Sequence, residues 1–178
     1  MEKERESTLI AYFAIKGKEE SAATAKVSAK LQKVLTEKGI KFDTFAIVPT
    51  EEYPTDPANF ELATKTEREA HARPELVGKY SGMKDVKDIF LVVPNWYDSL
   101  PQGVFTFLDT YDFAEKRIVP VVISGGDGSK NIVPELRNFL HKVWIMPAVD
   151  IHEKDVDTSD EAVAKAVEEM LEESKSKY

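Results

Sequence analysis

The side chains best placed to do chemistry stand in one stretch, Pro94, Asn95, Trp96, Tyr97, Asp98 and Ser99, directly after the unbroken apolar run Ile89 to Val93. Such a run reads as a strand covered on both faces, and the carboxyl end of a central parallel strand is where open α/β sheets bind ligands. Two adjacent aromatics at that place invite a flat, stacked ligand. A stacked aromatic contact contributes about 0.5–1.5 kcal/mol beyond its buried area. A second such loop, Ser124, Gly125, Gly126, Asp127 and Gly128, follows the apolar run Arg117 to Ile123. Its glycines allow positive φ angles and close backbone approach to a ligand, although glycine turns also occur with no ligand near.

Other chemistries find little support. Cysteine is absent, which removes disulfides, thiolate metal sites, iron–sulfur ligation and cysteine nucleophiles together, so redox chemistry would need a bound cofactor. His71, His141 and His152 are scattered among charged neighbours without metal-ligand spacing or a paired nucleophile. There is no GxxxxGK[ST] loop, and Gly125-Gly126-Asp127-Gly128 is not the dinucleotide fingerprint. A net charge of −8 argues against nucleic acid and suits a basic partner or ordinary solubility. No apolar run reaches membrane-spanning length and Met1 to Glu6 is charged rather than signal-like, so no membrane is expected and the simplest placement is cytoplasmic.

The elements that position these loops alternate along the chain. Thr8 to Phe13 reads as the first strand, a polar loop Lys16 to Glu20 follows, and Val27, Leu31, Val34 and Leu35 mark a helix with Ser21 or Thr24 as its cap and Gly39 as its end. Phe42 to Val48 is the second strand. Pro49 to Met83 is too long for a plain connection; Asp56 and Pro57 open a charged helix through about Ala70 with a thin apolar stripe. Leu100-Pro101 opens a helix carrying Val104, Phe107, Leu108 and Tyr111, and Ile132, Leu136, Phe139 and Leu140 mark the next, with Pro134 in its first turn. Val143 to Val149 is read as a fifth strand, with Trp144 in the core. Thr158 with Glu161 reads as a capping box before a last helix.

This pattern predicts one α/β domain over residues 1–178, with a core from about 8 to 172 and a long connection at 49–83. The expected fold is a three-layer α/β/α sandwich around a doubly wound, five-stranded parallel sheet of order 2-1-3-4-5, its switch point between the first and third strands. The loops after strands one, three and four converge there.

Tyr12-Phe13-Ala14, Pro94-Asn95-Trp96-Tyr97, Leu100-Pro101 with Phe105-Thr106-Phe107-Leu108, Tyr111-Asp112-Phe113 and Ser124-Gly125-Gly126-Asp127-Gly128 resemble the flavodoxin family, especially its bacterial flavodoxin-like branch. Tyr53-Pro54 and Ala72-Arg73-Pro74 fit that branch too. The likeness spans Thr8 to about Val149. It implies non-covalent binding of flavin mononucleotide (FMN): phosphate at the first loop, aromatic stacking at the second, the ring edge along the third. Trp96 and Tyr97 then occupy the positions that flank the ring.

The first loop departs from the family pattern, in which hydroxyls and Thr-Gly-Asn-Thr amides receive phosphate at a helix start. A gapless alignment gives Ala14, Ile15, Lys16, Gly17, Lys18 and Glu19, with every hydroxyl lost. The alternative matches Ser21, Ala22, Ala23 and Thr24 to the motif and treats Lys16 to Glu20 as inserted, which keeps helix register and is the preferred reading. Asp98 replaces a glycine of the pattern, and Asp127 adds a second carboxylate; near a ring both would disfavour added negative charge, or both simply face water.

The resemblance implies an FMN protein that passes electrons, as a carrier or as a small FMN-dependent reductase, to a basic redox protein or a small acceptor. The alternative is a degenerate member of the fold that lost FMN and serves as a binding or regulatory domain, because fold alone does not decide function.

Overall fold

The computed structural model describes residues 7–176, with side chains through 172; the charged start, Met1–Glu6, lies outside the described residues. Strands β1 (Ser7–Phe13), β2 (Phe42–Ile47), β3 (Val86–Pro94), β4 (Arg117–Ser124), β5 (Trp144–Ile145) and β6 (Val149–His152) form one parallel sheet. The order is β2-β1-β3-β4-β5, with β6 also paired to β4. Helices α1 (Ala23–Glu37), α2 (Pro57–Glu69), α3 (Gln102–Thr110), α4 (Ile132–Phe139) and α5 (Asp160–Ser176) complete the chain.

Two cores lie on opposite faces of the sheet. Val27, Leu31 and Leu35 of α1 meet Val163, Ala166 and Val167 of α5 on one face, against Ile10, Phe90, Val92 and Val121. Val104, Phe107 and Leu108 of α3 with Leu136 of α4 cover the other, against Leu9, Ala11, Ile89 and Leu91. The alternation of side chains along β3 thus feeds both layers, which is why its sequence is apolar without interruption.

Three local expectations are corrected. The fifth strand is two short ones: Pro147, between β5 and β6, has no amide to donate, so pairing with β4 lapses and resumes at Val149, running on to His152. Trp144 is 48% exposed and not core, because β5 is the short edge of the sheet. The last helix starts at Asp160, and the Thr158 hydroxyl donates back to the Asp155 carbonyl instead of capping it.

The long connection carries α2 as expected, with Asp56 accepting from the Asn59 amide as its cap and Thr64 its one buried residue. At the end of α1, Gly39 takes φ +67° and the Ile40 amide donates to the Leu35 carbonyl, closing the helix as a glycine at that position can.

Candidate functional site

The carboxyl ends of β1, β3 and β4 open on a cleft of about 370 Å³, within the ~300–1,000 Å³ range of small-molecule sites. Phe13, Ile15 and Ile123 give it apolar walls. Its first side is the turn leading into α1. The Lys18 amide donates to the Ile15 carbonyl and the Ala22 amide to the Lys18 carbonyl, each at 3.0 Å, so residues 15–22 form two linked turns that deliver Lys18 to the cleft.

Ala22 stands at the N-cap position and no side chain caps the helix, so neither Ser21 nor Thr24 has the capping role expected of it. Ser21 is exposed and is not among the residues that line the cleft. Thr24 is 4% exposed, in the first turn, and its hydroxyl donates to the Phe13 carbonyl at 2.5 Å. Alanines at 22 and 23 leave the first-turn amides without a covering side chain. An uncapped helix start with an ammonium beside it favours an anion.

The second side is the loop after β3. Trp96 and Ser99 exchange backbone hydrogen bonds of 2.9 and 3.1 Å, enclosing a two-residue turn in which Tyr97 (φ +55°) and Asp98 (φ +61°) are both left-handed. Such turns favour Asn-Gly; Asp98 tolerates this region better than most residues, while Tyr97 is held here against its preference. What holds them is a set of side chains from three elements. Asn95 Oδ1 accepts from the Asp98 amide, Arg68 Nη1 of α2 donates to the Tyr97 carbonyl, and the Glu135 carboxylate of α4 accepts from Ser99 Oγ and the Leu100 amide at 2.7 Å each.

The two aromatics part company in this turn. Trp96 lines the cleft, partly buried, with Phe13, Tyr53 and Phe60 meeting it nearly perpendicular at centroid distances of 5.1, 6.0 and 5.3 Å. Tyr97 is 38% exposed on the side facing α2, where Lys65 Nζ lies 5.1 Å from its ring centroid. Only Trp96 of the pair reaches the cleft.

Tyr53 and Phe60 come from the long connection and were not anticipated as neighbours of Trp96. Tyr53 donates its hydroxyl to Glu67 (2.9 and 3.0 Å to the two oxygens), which fixes the connection above Trp96. Burial raises the Glu67 pKa, opposed by the Tyr53 hydrogen bond and reinforced by Glu51; burial and the Glu67 carboxylate push the Tyr53 phenol up.

The loop after β4 stands beside the cleft: Ile123 lines it, while Ser124 to Gly128 are not among the lining residues. Ser124 Oγ accepts from the Gly128 amide, Gly128 takes φ +61°, and its carbonyl accepts from Asn95 Nδ2 at 2.8 Å. Asn95 therefore ties the second loop to the third. Gly125, Gly126 and Asp127 are exposed, with open space around Gly126, and Asp98 is exposed as well. Pro94 lines the cleft beside Trp96.

Glu153, just after β6, also lines the cleft, its carboxylate 3.5 Å from where a side chain on Gly125 would begin. Nothing in its local sequence marks it; it is brought there by β6, a strand that the apolar pattern placed too early. No group of three or more His, Cys, Asp or Glu among the described residues could hold a metal, and no described helix is long and apolar enough to cross a membrane.

The residues present suit FMN in kind: bare amides and an ammonium for a phosphate, an indole for a flat ring, and open glycine backbone for its edge. Among the described residues, Glu153 is the one lining group of the wrong sign.

No curated protein sequence matches the chain. Among solved structures it is similar to a Bacteroides uniformis protein assigned to the flavoproteins, at 22% identity and TM-score 0.69, covering 91% of this chain and 97% of that one. A flavoprotein in complex with FMN from Lactobacillus acidophilus aligns at 17% identity and TM-score 0.64, over 86% and 97% of the two chains. An NAD(P)H:quinone oxidoreductase from Methanothermobacter marburgensis aligns at 11% identity and TM-score 0.57, over 90% and 93%. The flavodoxin family model matches residues 7–170, nearly the whole length of a sheet already ordered 2-1-3-4-5, and the chain belongs to the flavodoxin family.

Proposed function

We propose that this protein binds FMN non-covalently in the switch-point cleft and passes electrons through it. The observation that carries the reading is the meeting, in one cleft, of the uncapped start of α1, Lys18 and Trp96. On this reading the amides of Ala22, Ala23 and Thr24 with Lys18 receive the phosphate, Trp96 and Pro94 lie against the ring, and the backbone from Ser124 to Gly128 runs along its edge. Phe13, Ile15 and Ile123 keep water from the apolar part. The flavin, when bound, supplies the electron and hydride chemistry, and the protein supplies position and electrostatics. The electrons would pass to a basic redox protein, for which a chain of net charge −8 is suited, or to a small acceptor.

The test is an absorbance spectrum of freshly purified protein, followed by titration of the flavin-free form with FMN. Flavin bands and saturable binding are expected, with fluorescence quenched in the complex and partly restored by Trp96→Ala. A colourless protein with no affinity at millimolar FMN would end this reading.

A second reading is a flavodoxin domain that no longer binds FMN. The Glu153 carboxylate in the cleft and the inward-turned Thr24 hydroxyl favour it, since one opposes a phosphate and the other withholds a donor.

A further inference from the structure

A second and larger cleft, of about 560 Å³, lies on the far side of the Trp96–Ser99 turn, between the end of α2 and the helix α4. Its polar groups converge: Arg68, His71, Arg73 and Gln102 all line it. Arg73 uses Nε on Asp109 and Nη1 on the carbonyls of His71 and Ala72 and on Gln102 Oε1, and among the described residues no acceptor holds its Nη2. Arg68 gives Nη1 to the Tyr97 carbonyl, and among the described residues no acceptor holds its other donors. Gln102 is 5% exposed, its carbonyl on Arg73, and no partner among the described residues holds its amide nitrogen. The one carboxylate among the described residues that lines the cleft, Glu135, has both oxygens engaged by Ser99 and Leu100.

The floor is apolar. Phe105 and Phe139 meet edge to face at 4.9 Å, with the Arg73 guanidinium 5.3 and 5.6 Å from their centroids. Donors without acceptors above an aromatic floor match a carboxylate on a flat apolar body, because guanidinium groups bind carboxylates with paired N–H donors.

We infer that this cleft is a second ligand site, for a small aromatic or similarly flat carboxylate, and that its occupancy is felt at the Tyr97–Asp98 turn through Arg68. Arg68 is the link because the same guanidinium faces the cleft and holds the turn. An anion that draws Arg68 toward itself weakens its bond to the Tyr97 carbonyl, and Tyr97 is already in a backbone region that it does not favour. The site thus reaches the Trp96 loop from behind, without entering the switch-point cleft. The inference does not depend on FMN being the ligand of the other cleft.

The probe is benzoate, with benzyl alcohol as the uncharged control of similar shape, titrated into the purified flavin-free full chain and followed by amide chemical shifts in NMR. Saturable shifts are expected at Arg68, Gln102 and Phe139 and at the amides of Tyr97 to Ser99, with benzyl alcohol at least tenfold weaker. Arg68→Gln should weaken benzoate about fivefold or more and abolish the response at Tyr97 and Asp98. Asn138→Asp, an exposed position lining the same cleft, adds a negative charge without removing a contact and should also weaken benzoate severalfold. The inference is overturned by equal binding of benzyl alcohol, by indifference to both substitutions, or by shifts confined to residues 18–24, which would put the anion at the start of α1.

Discussion

The hydroxyl of Thr24 donates to the carbonyl of Phe13, joining the first turn of α1 to the last residue of β1. The bond is buried, and it spends the proton that a phosphate-binding hydroxyl would offer. Sequence alignment assigns Thr24 to the phosphate; the geometry assigns its hydroxyl to the helix–strand junction. Thr24→Ala is accordingly expected to lower stability by about 1–2 kcal/mol, as for a buried hydrogen bond whose acceptor is left bare. It should leave the ratio of FMN to riboflavin affinity unchanged, since riboflavin differs only in lacking the phosphate. Urea denaturation and paired flavin titrations measure the two; an FMN-selective loss would return Thr24 to the phosphate.

Glu153 is the group whose removal should help a phosphate. With Glu153 and Lys18 lining the same cleft, Glu153→Gln should tighten FMN by about 1 kcal/mol, roughly fivefold, the order of a screened Coulomb interaction in partly solvated surroundings. Riboflavin affinity should not change. The difference should shrink in high salt, and fluorescence titration at low and high ionic strength tests both points.

Tyr53 and Glu67 carry a pH dependence. Burial raises the Glu67 pKa above its ordinary value of 4.5, so the carboxylate form costs stability in the fold: Glu67 favours folding fully at pH below about 4.5, and that contribution is lost as pH rises through the raised value. The Tyr53 hydroxyl offsets part of this cost by donating to the charged form. Tyr53→Phe should therefore raise the Glu67 pKa further and destabilise the protein most at neutral pH, by about 1–2 kcal/mol, with the deficit narrowing toward pH 4.5. Carboxyl NMR of Glu67 and melts across pH 4–8 provide the measurements. A deficit independent of pH would assign Tyr53 to packing on Trp96 alone.

Glu135 fixes the turn from α4. Glu135→Ala removes the acceptor of Ser99 Oγ and the Leu100 amide, the first of them only 2% exposed, and should cost about 2–3 kcal/mol, in the range for hydrogen bonds to a charged group. Glu135→Gln retains one acceptor and should recover about half. Differential scanning calorimetry gives the stability. Faster amide exchange at Tyr97 and Asp98 should accompany the loss, and its absence would show that Asn95 and Arg68 suffice to hold the turn.

The parts of the molecule legible in sequence are those decided by short-range pattern. Ile89 to Val93 could only be a doubly covered strand, Asp56-Pro57 could only open a helix, and Gly39 ends α1 with the backbone angle expected of it. Pattern fails where a partner from elsewhere decides. Tyr53 and Phe60 reach Trp96 because the long connection folds over the carboxyl end of β3, and no spacing within 49–83 encodes that direction. Tyr97 is adjacent to Trp96 in sequence, yet a left-handed turn held by Arg68 and Glu135 sends it the other way. Glu153 enters the cleft because Pro147 delays the last strand, and the apolar run from Val143 to Val149 conceals that delay.

The pairing of β1 with both β2 and β3 sets the order in which the cleft can come into being. Ser7 pairs with Val86 across nearly half the chain, so this contact closes the longest loop in the sheet and carries the largest entropic cost of assembly. The turn into α1 belongs to one side of that closure, and Trp96 with the glycine loop belongs to the other. A ligand that needs all three therefore meets its site only after β1 and β3 have joined. Such a ligand is expected to slow unfolding and to leave the refolding rate close to that of the empty chain, which refolding kinetics with and without it measure.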